Sequence, residues 1–359
     1  MRLLGVVLFI ALLTAAPLPL VAAEGPEEVT SFGPGDAPRR LLVRGTTDIP
    51  VFRTVLQAFS QTLPYLRIDY EQWSANALNA RTEADCNAHA PGADFIINSG
   101  IDRMLKLVND GCALPHRTDA TASIPQGSHW RSEIFAITAE PGVIIYNRQL
   151  VPPEEVPRTR FDLIDLLRPV DSRYAGRVAT YDIEASGTGY IYAFADSLQA
   201  STFGSLIEAF GRSGAVATCC SAELIGGVQD GTYLIGYNVL GSYAAARAAE
   251  DPLLGVVLPE DYTLILSRAA MIPKGAANVD DAGAFIDFLL GAEGRNQLNR
   301  TRLLLKDDDG DARGGMLRPV PLSPVLLVAV DAATRQQFLA RWRSAFPKRT
   351  PAFDAPQGP

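Results

Sequence analysis

Apolar strands and amphipathic helices alternate through the first third of the chain, and this alternation constrains the fold most. Three short runs, 41–43, 66–70 and 95–97, predict strands; the first and third are apolar throughout, and the second alternates apolar and charged residues. Apolar side chains at helical spacing predict helices after the first and third runs, and a more polar helix is predicted over 75–84. A strand–helix–strand–helix order of this kind predicts an α/β unit, a mostly parallel sheet with helices on both faces.

A second unit of the same kind begins near Pro141. Strands are predicted at 143–146, 178–181, 233–237, 254–258 and 262–266, with helices at 161–167, 190–198 and 242–249. From residue 280 onward the pattern is mostly helical. We therefore expect two α/β units, which agrees with the usual domain size for a chain of 359 residues.

Composition excludes several classes of protein. The chain is 47% hydrophobic and 20% charged, so it can bury a core. A net charge of −8 with no basic block argues against nucleic acid as a partner. The only long apolar run spans residues 3–21, which excludes a polytopic membrane protein.

That apolar run indicates export. It follows Met1-Arg2 and ends in Val21-Ala22-Ala23, so residues 1–23 are predicted to be a cleavable signal peptide. The alternative is an uncleaved membrane anchor. We expect a periplasmic protein, with residues 24–37 as a flexible leader and 347–359 as a flexible tail.

Export makes disulfides possible. Cys86 and Cys112 are separated by 25 residues in one predicted domain, and we expect them to be linked. Buried free thiols are the alternative, and the pairing of the adjacent Cys219 and Cys220 stays open. The chain has no C-x-x-C and no H-x-x-x-H spacing, so a metal site is not predicted.

Short polar groups follow three of the predicted strands. They are Thr46-Thr47-Asp48, Asn98-Ser99-Gly100 and Ser186-Gly187-Thr188-Gly189. In open α/β sheets, ligands bind at the carboxyl ends of strands, where helix N-termini attract anions. Capped helices with ordinary turn glycines are the alternative interpretation at each place.

The order of segments resembles the type II periplasmic solute-binding proteins of ABC transporters, especially those for ferric ion, sugar phosphates and phosphoglycerate-related ligands. The segments are VRGTTD at 43–48, ADFIINS at 93–99, PGVIIYNR at 141–148, ASGTGY at 185–190 and IGYNVLGSY at 235–243. The resemblance covers about residues 40–305 and implies two lobes that close like a hinge. Lobe I would comprise 38–139 and 264–346, and lobe II 140–263.

Two departures bear on the ligand. Ferric members of that family carry two adjacent tyrosines where this chain has Ser242 and Tyr243, and a histidine where it has Thr46-Thr47. One tyrosine does not supply the phenolate set that Fe(III) favours, so ferric binding is kept only as an alternative.

The resemblance and the polar strand ends together imply a small organic anion, phosphorylated ligands included, delivered to an ABC transporter permease. The candidate ligand-binding residues are Thr46, Thr47, Asp48, Ser99, Ser186, Gly187, Thr188, Gly189, Tyr190, Asn238, Ser242 and Tyr243. No cofactor is expected, and the protein should act as a monomer.

Two other functions stay open. The first is a binding protein that signals to the periplasmic domain of a sensor histidine kinase. The second is an exported hydrolase, although neither G-x-S-x-G nor a P-loop sequence occurs.

Overall fold

The computed structural model describes residues 25–199, 202–305 and 316–346. The predicted signal peptide at 1–23 and the predicted tail at 347–359 lie outside these residues. In the described part of the chain, no helix combines the length and the apolarity that a membrane span requires.

The described elements form an α/β architecture, as predicted from the sequence. The helices are α1 Ile49–Thr62, α2 Ala75–Asn87, α3 Ile101–Asn109, α4 Asp119–Ala122, α5 Arg160–Leu166, α6 Gly187–Gln199, α7 Thr202–Ser213, α8 Ser221–Gln229, α9 Gly241–Glu250, α10 Val279–Leu290, α11 Ala292–Arg300, α12 Leu326–Val330 and α13 Ala332–Ala345, with a 3-10 turn at Pro153–Glu155. The strands are β1 Glu28–Phe32, β2 Arg39–Gly45, β3 Leu66–Gln72, β4 Phe95–Asn98, β5 Ala113–Leu114, β6 His129–Trp130, β7 Ile134–Ala136, β8 Glu140–Asn147, β9 Val178–Tyr181, β10 Val216–Thr218, β11 Ile235–Leu240, β12 Leu254–Val257, β13 Thr263–Leu266, β14 Ala269–Pro273 and β15 Leu317–Pro319.

Two sheets, each flanked by helices, define the two lobes. The sheet of lobe I has the order β1-β3-β2-β4-β14-β7-β6, with β5 paired to β14. The sheet of lobe II has the order β10-β9-β11-β8-β13-β15, with β12 paired to β8. The strands are parallel within β3-β2-β4 and within β10-β9-β11, whereas β8 and β14 pair antiparallel to their neighbours. The parallel strands therefore end at one edge in each lobe, where the cleft lies.

The N-terminal boundary differs from the sequence-based prediction. The flexible leader predicted over 24–37 is wrong for residues 28–32, which form β1 and pair antiparallel with β3. Phe32 ends this strand buried, with 6% of its surface exposed. A short strand between Gly- and Pro-rich segments carries too few apolar residues to be recognised by alternation alone.

The lobe boundaries near the C-terminus also differ. The sequence predicts that lobe II ends at residue 263, but β13 continues to Leu266 and pairs with β8, so the second crossing lies at 267–268. Two parts of the segment 264–346, which the sequence assigns to lobe I, belong instead to lobe II. Strand β15 pairs with β13, and helix α13 packs on α7. An amphipathic pattern shows which face of a helix is apolar, but it does not identify the surface that covers that face.

The C-terminal segment touches both lobes. Helix α12 packs against α3 of lobe I, and the hydroxyl of Tyr190 in lobe II donates to the carbonyl of Ala329 at 2.5 Å. On α13, the Phe338 ring stacks on Phe203, with ring centroids 6.0 Å apart. These contacts link α3 of lobe I to α6 and α7 of lobe II.

Cys86 and Cys112 form the predicted disulfide, with Cα atoms 5.7 Å apart. The bridge joins the last turn of α2 to the chain just after α3, within lobe I. It therefore fixes the two helices whose N-terminal ends contribute to the cleft.

Candidate functional site

A cavity of about 310 Å³ lies between the lobes and is lined by residues of both. Several of its walls are helix starts. Asp48 precedes α1, Ser74 caps α2, Gly187 begins α6, and Ser221 begins α8 directly after Cys220. Because the first amides of a helix have no partner within it, converging helix N-termini present donors and partial positive charge to the same space.

The wall formed by lobe I begins with Thr46 and Ser99, at the ends of β2 and β4. The Thr46 hydroxyl accepts a hydrogen bond from the Ser99 amide at 3.1 Å, and the two hydroxyl oxygens lie 3.3 Å apart. Adjacent parallel strands bring these two side chains together, as the positions of the polar groups in the sequence predict.

Asp48 is the next contributor to this wall. It occupies the N-cap position of α1, but its side chain makes no capping hydrogen bond. Its amide donates instead to the Tyr243 hydroxyl at 3.2 Å, and Gln72 accepts from the following amide, that of Ile49, at 2.9 Å. Asp48 therefore lines the cavity, and its carboxylate does not cap the helix.

The wall formed by lobe II is the turn that opens α6. The Ser186 hydroxyl accepts from the Gly189 amide at 3.0 Å, so it caps the helix and also lines the cavity. At Gly187 a Cβ atom would lie 3.1 Å from the Cβ of Ala75 and from the amide oxygen of Asn76. Glycine at this position allows lobe II to approach the start of α2 in lobe I.

Hydrogen bonds cross the cleft and hold the lobes together. The hydroxyl oxygens of Ser99 and Thr188 are 2.7 Å apart, and Asn76 donates to the carbonyl of Ala185 at 2.8 Å. The bond between Asp48 and Tyr243 is a third link, since Tyr243 belongs to α9 of lobe II. These contacts hold the lobes in a closed arrangement, with the cavity between them.

Arg268 lies where the chain crosses between the lobes and also lines the cavity. Its guanidinium donates to the Glu140 carboxylate at 2.9 Å and to the Thr46 carbonyl at 2.9 Å. Both side chains of the ion pair are almost fully buried, at 2% and 1% exposed. Burial opposes the charge on Arg268, but the neighbouring Glu140 raises its pKa, so the guanidinium stays ionised and its charge is balanced within the protein.

Seven of the twelve predicted ligand-binding residues line the cavity. They are Thr46, Asp48, Ser99, Ser186, Gly187, Thr188 and Tyr243. The other five lie outside its lining, and each of them has another structural role.

Two of these five are buried, and their side chains donate hydrogen bonds to buried carboxylates. Ser242 donates its hydroxyl to Glu140, so it supports the ion pair with Arg268. Asn238 donates to Asp196 at 3.4 Å, in the core of lobe II. The remaining three are packing positions.

The Thr47 side chain is fully buried, and its carbonyl accepts from Tyr70 at 2.6 Å. Tyr190 points away from the cleft toward Ala329. A Cβ atom at Gly189 would lie 2.3 Å from the Cβ of Tyr181, so this glycine is required by close packing. The sequence pattern places all three near the strand ends, but only the fold determines which way the side chains of Thr47 and Tyr190 face and how closely Gly189 packs.

Several lining residues were not predicted as ligand contacts, among them Gln72, Tyr181, Ser221 and Arg268. Tyr181 is the last residue of β9, and this position at the carboxyl end of a strand is the signal that could have identified it. Its hydroxyl lies 2.7 Å from the Ser221 hydroxyl and accepts from the Leu240 amide at 3.1 Å. A single arginine after an apolar strand, as at Arg268, gives no such signal.

Among the described residues, the two tyrosines of the cavity keep their hydroxyl protons at neutral pH. Burial raises the pKa of Tyr243, and burial likewise raises the pKa of Tyr181. Both hydroxyl oxygens already accept a backbone N–H. In this arrangement they are neutral hydrogen-bonding groups.

Residues 46–296 match the model of a family described as bacterial extracellular solute-binding protein. Among solved structures, the substrate-binding protein of an ABC transporter from Agrobacterium tumefaciens is similar, with 31% identity and a TM-score of 0.84. The alignment covers 90% of this chain and 99% of that one. No protein with curated annotation shows significant sequence similarity to the chain.

Two more distant structures share the fold. AfuA from Actinobacillus pleuropneumoniae, solved with fructose-6-phosphate, is 17% identical with a TM-score of 0.69. Iron-bound HitA from Pseudomonas aeruginosa is 16% identical, also with a TM-score of 0.69. Each alignment covers 86% of this chain and 99% of the other. The two ligands differ in kind, so the shared fold does not specify what this cleft binds.

Proposed function

Because this chain belongs to the family of bacterial extracellular solute-binding proteins, we propose that its cleft captures a small organic anion for an ABC transporter. Proteins of this family bind solutes and are not enzymes, so the hydrolase alternative is dropped. The open question is which chemistry the ligand presents to the two walls.

One observation carries the proposal of an anion. On the wall formed by lobe II, the starts of α6 and α8 meet at the cavity and bring with them the hydroxyls of Ser186, Thr188 and Ser221. Helix amides and hydroxyls at this position suit carboxylate or phosphate oxygens. The charge of Arg268 is already balanced by Glu140, so dipoles and hydroxyls provide most of the attraction.

The wall formed by lobe I defines the other end of the ligand. Asp48 would repel an anion, but it accepts hydrogen bonds from hydroxyl or amino groups. Gln72 and Thr46 lie on the same wall. We therefore infer a ligand with its acidic group toward lobe II and hydrogen-bond donors toward lobe I.

The size of the cavity is consistent with that ligand. About 310 Å³ exceeds the needs of a single inorganic ion and suits a small metabolite. The rings of Trp73 and Tyr243 line the cavity and offer apolar surface to a carbon skeleton.

Native mass spectrometry of protein purified without refolding tests this proposal directly. A co-purified organic acid or phosphate ester would support it, and titration calorimetry should then rank a phosphorylated polyol above the uncharged polyol of the same length. Equal binding of the two, or a co-purified organic cation or ferric ion, would contradict the proposal, whereas a bound thiophilic divalent cation would not bear on it.

Transport and signalling use the same closed lobes and need a different test. Purified protein with its ligand should stimulate ATP hydrolysis by the partner transporter in proteoliposomes. Stimulation of a sensor kinase instead, with no effect on any transporter encoded nearby, would favour the signalling alternative.

A further inference from the structure

The adjacent residues Cys219 and Cys220 lie at the mouth of the cleft. Both are exposed, both line the same cavity as Ser186 and Thr188, and they are joined by a disulfide. A bridge between neighbours closes no long loop and so adds little stability through chain entropy. The position of the pair suggests a chemical role.

Glu223 completes a group of three around this pair. Its carboxylate oxygen lies 3.2 Å from the sulfur of Cys219 and 3.3 Å from the amide of the same residue. One ligand atom from each of Cys219, Cys220 and Glu223 fits within 4.8 Å of the others. Cys220 occupies the N-cap position of α8, but its side chain makes no capping hydrogen bond.

We propose that the reduced form of Cys219 and Cys220, together with Glu223, binds a thiophilic divalent cation such as Zn²⁺ at the mouth of the cleft. Two thiolates and one carboxylate are a donor set suited to Zn²⁺ or Cd²⁺. Three protein ligands leave a tetrahedral ion one position for water or for an oxygen of a bound solute. The site does not depend on the proposed organic anion.

Reduction precedes metal binding in this scheme. A dithiol, either a small molecule or an exported thiol oxidoreductase, attacks the disulfide and becomes a disulfide itself. Two electrons and two protons pass to Cys219 and Cys220, and the cation then displaces both thiol protons. In the reverse direction a disulfide, either a small molecule or an oxidised exported oxidoreductase, takes two electrons from the two thiolates and two protons from solvent and becomes a dithiol, and the cation is released.

The disulfide between Cys219 and Cys220 is more accessible to a reducing dithiol than the disulfide between Cys86 and Cys112. Cys219 and Cys220 are both exposed, whereas Cys112 is buried at 4%. Thiol–disulfide exchange requires attack on an accessible sulfur, so a limiting dithiol should open the bridge between Cys219 and Cys220 first.

The full mature chain is used for the test, treated with a limiting dithiol without oxygen and then desalted. Differential alkylation and peptide mapping identify the opened bridge, and circular dichroism checks the fold. Titration with Cd²⁺ should give thiolate-to-metal absorption in the near ultraviolet that saturates at one ion per chain. The oxidised protein and the variant C219S/C220S should give none.

Glu223 is tested by a matched pair of substitutions. E223Q should weaken Cd²⁺ binding about tenfold or more, because even outer partners of metal sites have effects of that size. E208Q, at an exposed position on α7, should leave it unchanged. The proposal is overturned if the bridge between Cys86 and Cys112 opens first, if the reduced pair gives no absorption, or if C219S/C220S absorbs as strongly as the wild type.

Discussion

The hydroxyl oxygens of Ser99 and Thr188 lie 2.7 Å apart and join the end of β4 in lobe I to the first turn of α6 in lobe II. Both residues also line the cavity, so the same side chains border the space proposed for the ligand and hold the lobes together. Opening the cleft must break this contact together with that between Asp48 and Tyr243. Ligand affinity and lobe closure should therefore respond together to changes at these positions.

The double substitution S186A/T188A tests the turn that opens α6. Each hydrogen bond lost to a charged ligand costs about 1.5–3 kcal/mol, so binding of the ligand found by mass spectrometry should weaken roughly a hundredfold or more. Titration calorimetry measures the dissociation constant. S197A, on the same helix where the hydroxyl donates to the Phe194 carbonyl, is the control and should bind normally. An unchanged constant in the folded double variant would mean that this turn is only a helix cap.

We expect weak binding of Fe(III). Tyr243 and Tyr181 are the tyrosines of the cavity among the described residues; burial raises the pKa of each, and both hydroxyls are already hydrogen-bonded. Ferric titration should therefore produce no phenolate-to-iron absorption band. A visible band that disappears in Y243F would contradict this expectation and favour the ferric alternative.

The disulfide between Cys86 and Cys112 should stabilise lobe I. Its sequence separation is 26, for which the chain-entropy model gives about 3–4 kcal/mol. The variant C86A/C112A should lose that much free energy of unfolding in urea. C219A/C220A is the matched control, because a bridge between adjacent residues closes no loop, and it should change little. Equal losses in the two variants would refute the entropic explanation.

Local patterns in the sequence were sufficient to predict most elements. Phe52, Val55, Leu56 and Phe59 follow helical spacing and are all buried on α1, and the strand predicted at 178–181 is β9. Lobe boundaries that depend on contacts between residues far apart in the chain were not predictable. Helix α13 packs in lobe II because Phe338 meets Phe203, a contact between residues far apart in the chain.

The residues that line the cavity were likewise only partly predictable from the sequence. The polar residues Thr46, Ser99 and Ser186, each of which follows a strand, were identifiable because carboxyl ends of parallel strands share one edge. Ser242 was not distinguishable from them, since its hydroxyl turns to a buried carboxylate, that of Glu140. Arg268 lines the cavity because it lies where the chain passes from lobe II to lobe I. The position of that crossing depends on how β13 pairs with β8, which the sequence does not show.

Asp69 should support stability only while it is ionised. Burial works against its charge, but hydrogen bonds from Ser31, Arg67 and Arg40 outweigh burial and hold the pKa of Asp69 below its ordinary value. A lowered pKa in the folded state gives stability that is present above the unfolded pKa, about 3.9, and lost as pH falls through the folded value.

The variant D69N tests this dependence. At pH 7 it should lose about 1–3 kcal/mol in urea unfolding, and the gap to the wild type should narrow in acid. D110N, which breaks only the exposed pair with Lys106, should cost less than about 0.5 kcal/mol. A gap for D69N that stays constant with pH would contradict the prediction.

Asp102 should show the opposite dependence on pH. It lies on α3 with 1% of its surface exposed, and one carboxylate oxygen finds no hydrogen-bond partner within the described residues. Burial raises the pKa of Asp102, although the nearby Arg103 opposes the shift. A raised pKa means that ionisation costs more in the folded state, so stability is lost as pH rises above the unfolded value.

D102N removes the charge but keeps the shape of the side chain. Its free energy of unfolding relative to wild type should therefore increase between pH 3 and pH 7, whatever its absolute value at either pH. Urea unfolding at several pH values measures this difference, and D36N, at an exposed position, should show none. A relative stability of D102N that falls with rising pH would mean that Asp102 is stabilised as a carboxylate, through its helix amides and the positive charges of Arg103 and Arg335.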